Sequence, residues 1–121
     1  MSIKMNSRIV VRRGAEHYPV MIDDIVLFYT ENRITFAFTK SGMKFIIDEI
    51  LSTLETNLDK EKFYRANRQH IINIDFIKSF RTVDKVKISI ELLVPVGREP
   101  IVVSQDGAAN FRQWIEGKWA S

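Results

Sequence analysis

The sequence predicts a mainly β domain with one amphipathic helix near its middle and a second helix at its C-terminus. Most apolar residues fall in short runs bounded by polar or glycine-containing turns, as is typical of strands. Residues 46–59 and 104–119 show most clearly the spacing of three to four residues that a helix requires. A chain of 121 residues suffices for one hydrophobic core, so we expect residues 1–121 to form a single domain, with residues 1–7 as a disordered tail.

The N-terminal part is predicted to contain four strands. They lie in "SRIVVRR", "DIVLFYT", "ITFAFTK" and "SGMKFII", and the polar "ENR" forms a short hairpin loop between the second and the third. In the third segment Ile34, Phe36 and Phe38 alternate with threonine or alanine. This period of two predicts a strand that buries the isoleucine and the two phenylalanines.

The first helix is predicted from an aliphatic stripe in residues 46–59. Its members share one helical face: Ile47, Ile50, Leu51, Leu54 and Leu58. Asp48 is a candidate N-cap. Such a stripe is typical of packing against a core, so we assign it no binding role.

The segment Ala66–Asn73 is ambiguous between a short helix and a strand. Asn67, His70 and Ile71 would share a helical face with Ile74, yet the run of isoleucines is also typical of a strand.

The rest of the chain is predicted to contain three strands and a helix. The strands lie in "FIKSF", "KVKISIEL" and "PIVVS", with "VGRE" as a turn between the last two. The helix carries Phe111, Trp114, Ile115 and Lys118 on one face. Ser104 or Asp106 is its expected cap.

Composition excludes several classes of protein. An apolar fraction of 45% with 27% charged residues argues against global disorder. No apolar run is long enough to span a membrane, and the N-terminus lacks the apolar region of a signal peptide. Because the chain has no cysteine, it has neither disulfides nor thiolate metal sites. We expect a cytoplasmic protein without membrane association and without a cofactor.

Positive charge is concentrated in residues 60–87. This stretch carries eight basic and three acidic side chains, a net charge of +5, whereas the rest of the chain has a net charge of −2. A concentrated basic face indicates an anionic partner such as nucleic acid. A solvated surface with a chance cluster of charges explains the same numbers equally well.

No catalytic constellation is evident, so we predict that the chain is not an enzyme. His17 and His70 lie far apart and belong to no cluster with metal-ligand spacing. Within Asp23–Asp24 and within Asp48–Glu49, adjacent side chains of a strand would point to opposite faces. A glycine-rich phosphate loop is absent from the sequence.

The segment "RANRQH" at residues 65–70 has the chemistry that reads DNA. The fork of donors on arginine matches O6 and N7 of guanine in the major groove, and asparagine or glutamine can pair with the adenine edge. Arg65, Asn67, Arg68 and Gln69 offer both kinds of contact. Solvated loop residues would look the same, so this pattern alone leaves the function open.

The longer stretch "FYRANRQHIINIDFIKSF" resembles the signature of the LytTR DNA-binding domain. The residues in register with that signature are Phe63, Arg65, Asn67, Arg68, Ile71, Ile72, Asn73 and Ile77. "IDDIVLFYTENRITFAFTKSGMKF" resembles the opening hairpin of the family, "IIDEILSTLETNLDKEKF" resembles its amphipathic helix, and "PIVVSQ" resembles its closing strand. The four matches occur in the family's order along nearly the whole chain. The form Arg-x-Asn-Arg-Gln is most similar to that of Bacteroidetes-type regulators.

The resemblance implies an elongated fold of small antiparallel sheets, a β-β-β sandwich, with a short helix at Ala66–Asn73. It implies the output domain of a two-component response regulator, which binds double-stranded promoter DNA at direct repeats as a homodimer. Loops would enter successive major grooves, and a receiver domain and a sensor kinase would control the full-length protein. Because no receiver-like phospho-acceptor region precedes residue 1, we expect either an excised output domain or a stand-alone regulator.

The same resemblance implies a set of DNA-binding residues. Asn32 and Arg33 lie in the loop where the family contacts base or backbone, and Arg68 lies at its central base-contacting position, beside Asn67. Gln105 stands where the family most often has arginine, so one amide replaces a charged fork. Two of these residues also have structural explanations, because Asn32 can form the hairpin turn and Asn67 can cap the short helix.

Three residues of the signature segment are left out of the site. We interpret Arg65 as a surface or ion-pair residue, Asn73 as a source of turn hydrogen bonds and His70 as a packing residue.

Two other functions stay open at this point. One is a protein-interaction module that uses a sheet edge and the basic face. The other is RNA binding, which generally needs exposed aromatic rings, whereas we expect Phe36, Phe38 and Phe80 to be buried.

Overall fold

The computed structural model describes residues 8–97 and 99–117. Its strands are β1 (Arg8–Arg13), β2 (Glu16–Met21), β3 (Ile25–Glu31), β4 (Ile34–Thr39), β5 (Lys44–Ile47), β6 (Phe63–Asn67), β7 (His70–Asn73), β8 (Ile77–Val83), β9 (Lys87–Leu92) and β10 (Ile101–Val103). Its α-helices are α1 (Leu51–Asn57) and α2 (Gln105–Ile115), and two 3-10 helices span Ile22–Asp24 and Ile74–Phe76. The predicted tail at residues 1–7, Arg98 of the predicted turn and Lys118 of the predicted last helix lie outside the described residues.

The strands form two antiparallel sheets. The larger has seven strands in the order β2-β1-β5-β4-β3-β7-β6, and the smaller has three in the order β10-β9-β8. Between β1 and β5 the sheet register contains one residue pair, Arg12 with Ile46, so the β1–β2 hairpin is a loosely joined part of the large sheet. The prediction of a mainly β, antiparallel fold is confirmed.

Two hydrophobic cores cover the two faces of the large sheet. One contains Leu51 and Leu54 of α1 together with Phe28 of β3. The other joins the large sheet to the small sheet and to α2, whose Phe111 and Trp114 are almost completely buried. Both predicted helices therefore exist, and each serves as packing for one face of the sheet.

The helix α1 begins later than its sequence pattern predicts. Ile47 belongs to β5, and Ile50 occupies the N-cap position with 64% of its surface exposed. Asp48 lies two residues before that position and is not the cap; its carboxylate accepts a hydrogen bond from Arg12 Nε at 3.0 Å. The buried part of the predicted stripe consists of Ile47, Leu51, Leu54 and Leu58.

The prediction of a short helix at Ala66–Asn73 is wrong. This segment is the second half of a β-hairpin in which Phe63 pairs with Asn73 and Asn67 pairs with His70. β7 also pairs with β3 on its other side. Consecutive isoleucines at 71 and 72 are both buried because the two faces of this strand are both covered, and that pattern also fits a helical period.

The buried face of β4 is the reverse of the predicted one. Thr35, Ala37 and Thr39 are buried, whereas Ile34 is 42% exposed and the phenylalanines are partly exposed. The small side chains face the core that contains α1, where close packing leaves room for little else. Phe80 is also only partly buried, but its ring packs against Phe111 of the second core.

The strand β2 was not predicted from the sequence. Its residues are exposed or half-exposed, and it forms one edge of the large sheet. An edge strand with His17 and Pro19 lacks the apolar run that marks a strand in the sequence.

Candidate nucleic-acid interface

Two hairpins reverse direction side by side at one end of the large sheet. The first joins β3 to β4 through Asn32 and Arg33, which have φ of 52° and 66°. Positive φ at both central residues is the geometry of a type I′ turn, which matches the twist of the flanking strands. Asparagine adopts this backbone readily. Asn32 therefore does form the hairpin turn, and both side chains are exposed.

The second hairpin joins β6 to β7 through Arg68 and Gln69, and both of these residues are exposed. Its backbone is held from the neighbouring strand, because the Thr30 amide of β3 donates to the Gln69 carbonyl at 3.0 Å. This bond places the two turns next to each other. Among the residues that the structure describes, the Arg68 side chain has neither a carboxylate partner nor a hydrogen bond, so its donors face solvent.

Asn67 braces this second turn from inside. Its Oδ1 accepts from the Gln69 amide at 2.8 Å and from His70 Nδ1 at 2.9 Å. Its Nδ2 donates to the Val102 carbonyl of β10 at 2.9 Å, which links the large sheet to the small one. Both the oxygen and the nitrogen of the amide are thus engaged in the fold, and Asn67 caps a β-turn rather than the expected helix.

His70 packs beside this brace, as expected from the sequence. Its ring lies 6.3 Å from the Tyr29 ring in a stacked arrangement. Because the Asn67 Nδ2 donates to Val102, the Asn67 oxygen faces the imidazole and Nδ1 of His70 carries the proton. Burial lowers the pKa of His70 below its ordinary value, so the ring is neutral at physiological pH.

Arg65 supports the same turn from the other side. Its guanidinium donates to the Arg68 carbonyl at 2.7 Å, to the Asn67 carbonyl at 3.1 Å and to Glu55 Oε1 at 3.1 Å. The interpretation of Arg65 as an ion-pair residue is confirmed. Its donors are engaged within the protein, which leaves Arg68 as the arginine of this hairpin that faces outwards.

The junction between β10 and α2 lies close to the second turn. Val102, which accepts the Asn67 bond, is two residues before Ser104 at the N-cap position of α2. The Ser104 hydroxyl makes no capping bond, and Asp106 lies in the first helical turn, so the predicted side-chain cap does not form. Gln105 is the first residue of α2, and its side chain is exposed. The predicted residues of three separate segments thus come together at one end.

A family model of the LytTr DNA-binding domain matches residues 15–116 of the chain. The chain belongs to the LytTR DNA-binding domain family. A search of curated proteins found no match.

Among solved structures, the LytTR fold is matched by a LytTr DNA-binding domain from Bacillus cereus, described as part of a methyl-accepting/DNA response regulator. The TM-score is 0.78 at 20% sequence identity, and the match covers 90% of this chain and 96% of that one. At this identity the match bears on the fold, and it supports the mainly β architecture described above.

Fewer basic residues of this LytTR domain carry an uncompensated charge than the sequence suggests. Three basic residues of the stretch 60–87 are neutralised by carboxylates: Lys62 by Asp23 and Asp75, Arg65 by Glu55, and Lys78 by Glu91. The other five have no ion-pair partner among the described residues: Lys60, Arg68, Arg81, Lys85 and Lys87. The uniform basic face suggested by the sequence is therefore reduced to five unpaired cations.

Carboxylates near the turns are few. Glu31, at the end of β3, pairs with Lys44 Nζ at 3.3 Å, so its charge is compensated. Asp106 in the first turn of α2 favours the helix dipole but would oppose an approaching phosphate.

Two further classes of site are not found in residues 8–97 and 99–117. These residues contain no group of three or more histidines and carboxylates that could hold a metal ion. Neither helix in this part of the chain is long and apolar enough to cross a bilayer.

Proposed function

We propose that this LytTR domain binds double-stranded DNA sequence-specifically as the effector module of a transcriptional regulator in the cytoplasm. One observation carries the proposal. The bonds from Thr30 to Gln69 and from Asn67 to Val102 bring three exposed turns together, with an unpaired arginine at their centre. The interface then consists of Asn32 and Arg33, Arg68 with its brace Asn67, and Gln105.

The shape of the turns suits the major groove. A two-stranded β-ribbon fits into a groove that is roughly 12 Å wide. Each of the two hairpins ends in a two-residue turn, so its tip is narrow and its side chains point forwards. Loops rather than a recognition helix would therefore meet the bases.

Arg68 is the proposed base reader. Its guanidinium is free of partners while its backbone is held by Arg65 and, through Gln69, by β3. A fixed backbone with a free fork of donors limits the entropy lost on binding and favours bidentate contact with guanine.

The other site residues have supporting roles in this proposal. Arg33 would contact a phosphate or a base from the adjacent turn, with Asn32 setting the direction of that turn. Asn67 would position Arg68 rather than touch DNA, because its amide groups are engaged within the protein. Gln105 would make one amide contact at the third turn.

A single domain of this size buries little DNA surface, so affinity would depend on pairing. We propose that two copies bind direct repeats as a homodimer on DNA. In a full-length regulator, a receiver domain and a sensor kinase would control this pairing.

The test is selection of bound sequences from a random duplex pool, followed by fluorescence anisotropy of the selected and a scrambled duplex at two salt concentrations. We expect tighter binding to the selected duplex and weaker binding of both at higher salt, since phosphate contacts release counterions. Duplexes with one and two half-sites test the homodimer.

Three results would favour other functions. Absence of salt-dependent binding to any duplex would contradict the proposal and favour a protein-interaction module, for which the exposed Val10 of β1 and Ile34 of β4 offer apolar surface. Preference for single-stranded RNA over duplex DNA in competition would favour RNA binding. Equal affinity for the selected and the scrambled duplex would favour a nonspecific DNA-binding role.

A further inference from the structure

A fourth chain reversal lies beside the three that form the proposed interface. The β8–β9 hairpin turns at residues 84–86, and the last pair before the turn joins Val83 to Lys87. Asp84 and Lys85 have φ of 49° and 69°, which turns the chain sharply outwards. Lys85 and Lys87 are both exposed and have no ion-pair partner among the residues that the structure describes.

Strand register locates this turn relative to Gln105. Val103 of β10 pairs with Ile88 of β9. Continuing this antiparallel register by one residue places Ser104 beside Lys87, so the start of α2 and the β8–β9 turn are neighbours. Gln105 is therefore flanked by the Arg68 hairpin on one side and by the two lysines on the other.

Two basic residues of the small sheet lie on its outer face, away from α2. Thr82 accepts a hydrogen bond from Arg112 of α2, and Phe80 packs on Phe111. Residues that alternate with these two therefore point away from α2. Arg81 of β8 lies on that outward face, and so does Lys87 of β9, which pairs with Val83. Asp84 is the carboxylate within the turn itself.

We propose that the β8–β9 turn is an additional phosphate-binding element, in which Lys85 and Lys87 contact the DNA backbone beyond the bases that Gln105 approaches. This inference rests on the proposed function. Lysine is a compact, flexible charge that suits phosphate contact rather than base reading. The turn therefore contributes affinity and register, whereas sequence preference stays with the other three turns.

The test compares salt dependence in the complete chain. In the Lys85→Gln/Lys87→Gln variant, the slope of log Kd against log salt should decrease by up to about 1.8, since each lost phosphate contact contributes about 0.9. The ratio of affinities for the selected and the scrambled duplex should be unchanged. Lys78→Gln is the matched control, because Lys78 lies on the same hairpin, at the far end of β8, and pairs with Glu91.

Each outcome decides a different question. If the parent chain binds DNA but the double variant keeps its salt slope, the phosphate-binding turn is wrong while the proposed function stands. An equal decrease in Lys78→Gln would mean that overall charge causes the effect, which also overturns the assignment. If the parent chain binds no duplex, the proposed function fails and this inference fails with it.

Discussion

The basic residues at the two ends of the large sheet differ in how far carboxylates neutralise them. At the end where β3 begins and β7 finishes, Lys40 pairs with Asp24, and Lys62 lies between Asp23 and Asp75. At the other end, Arg65 pairs with Glu55, but Arg33 and Arg68 in the turns have no ion-pair partner among the described residues. The same strands run from one end to the other, so the difference lies in the turns.

The comparison separates charges that stabilise the fold from charges that are free for a ligand. Lys62 Nζ lies 3.0 Å from Asp23 Oδ1 and 2.6 Å from Asp75 Oδ2, and its side chain is 11% exposed. Asp23 Oδ1 is buried without a hydrogen bond, so the lysine compensates its charge. Arg68, by contrast, is presented on a rigid backbone with its donors unused. Net charge counts both kinds equally, which is why it says little about location.

One asparagine braces the chain at each end of β7. Asn73 is completely buried, donates to the Ile25 carbonyl at 2.8 Å and accepts from the Asp75 amide at 2.9 Å. Asn67 makes the corresponding links near the Arg68–Gln69 turn. The difference is burial, since Asn67 is only partly buried. We therefore expect mutations at the Asn73 end to affect stability and mutations near Arg68 to affect binding.

The largest effect is expected for Asn73→Ala. It leaves the Ile25 carbonyl and the Asp75 amide without partners, and each buried unsatisfied group costs about 1–3 kcal/mol. The free energy of unfolding, measured by urea denaturation, should fall by about 3 kcal/mol. Asn57→Ala is the control at a half-exposed site, where we expect a change within about 0.5 kcal/mol. Similar losses in both variants would contradict the role of Asn73.

Arg68→Ala should act on binding alone. Loss of a bidentate base contact weakens specific binding by about 1–3 kcal/mol, measured by anisotropy with the selected duplex. The thermal midpoint should stay unchanged, because no side-chain bond is lost. Arg13→Ala, at the other end of the molecule, is the control for charge. If discrimination between selected and scrambled duplex survives in Arg68→Ala, Arg68 is not a base reader.

Lys62→Met should lower the free energy of unfolding by about 1–2 kcal/mol, less than for a fully buried pair because the side chains of Asp23 and Asp75 are 41% and 57% exposed. Burial alone would lower the pKa of Lys62, but Asp75 and Asp23 raise it above its ordinary value of 10.5. The stabilisation is therefore present below pH 10.5 and is lost as the pH rises through the higher folded value. Denaturation curves from pH 8 upwards should show this loss in the parent chain and not in the variant. Parallel pH curves would contradict the coupling.

Gln105→Arg should have the smallest effect. A charged fork in place of one amide should raise affinity up to about tenfold or shift the base preference at one position, which repeated selection from the random pool would reveal. Gln105→Glu is the opposite control and should weaken binding. If neither substitution changes the selected sequence or the affinity, Gln105 does not approach DNA.

Much of this fold could be predicted from local patterns. The turn at Asn32–Arg33 and the helix around Phe111 and Trp114 follow from residue type and spacing, and the order of family-like segments predicted the LytTR fold. The strand at residues 70–73 could not be assigned, because isoleucine on both faces of a covered strand resembles a helical stripe. The Thr30–Gln69 bond, which decides the matter, connects residues far apart in the chain.

The candidate site was predicted at the level of residues but not of roles. Asn67 and Arg68 are adjacent in the sequence, and both types pair with bases. Only the fold shows that the Asn67 amide is already engaged with Val102 and Gln69, while Arg68 is free. Lys85 and Lys87 were part of the predicted basic stretch, but the pairing of Lys62 and Lys78 with carboxylates could not be foreseen.

The Asn67 brace has a consequence for altering what this domain recognises. Because the turn is held by Asn67, Arg65 and the Gln69 backbone, the side chains of Arg68 and Gln69 are not needed for its conformation. Residues 68 and 69 can therefore be substituted while the conformation of the turn stays unchanged. A library randomised at 68 and 69 should retain folding in most members, so new base preferences could be selected without repairing stability.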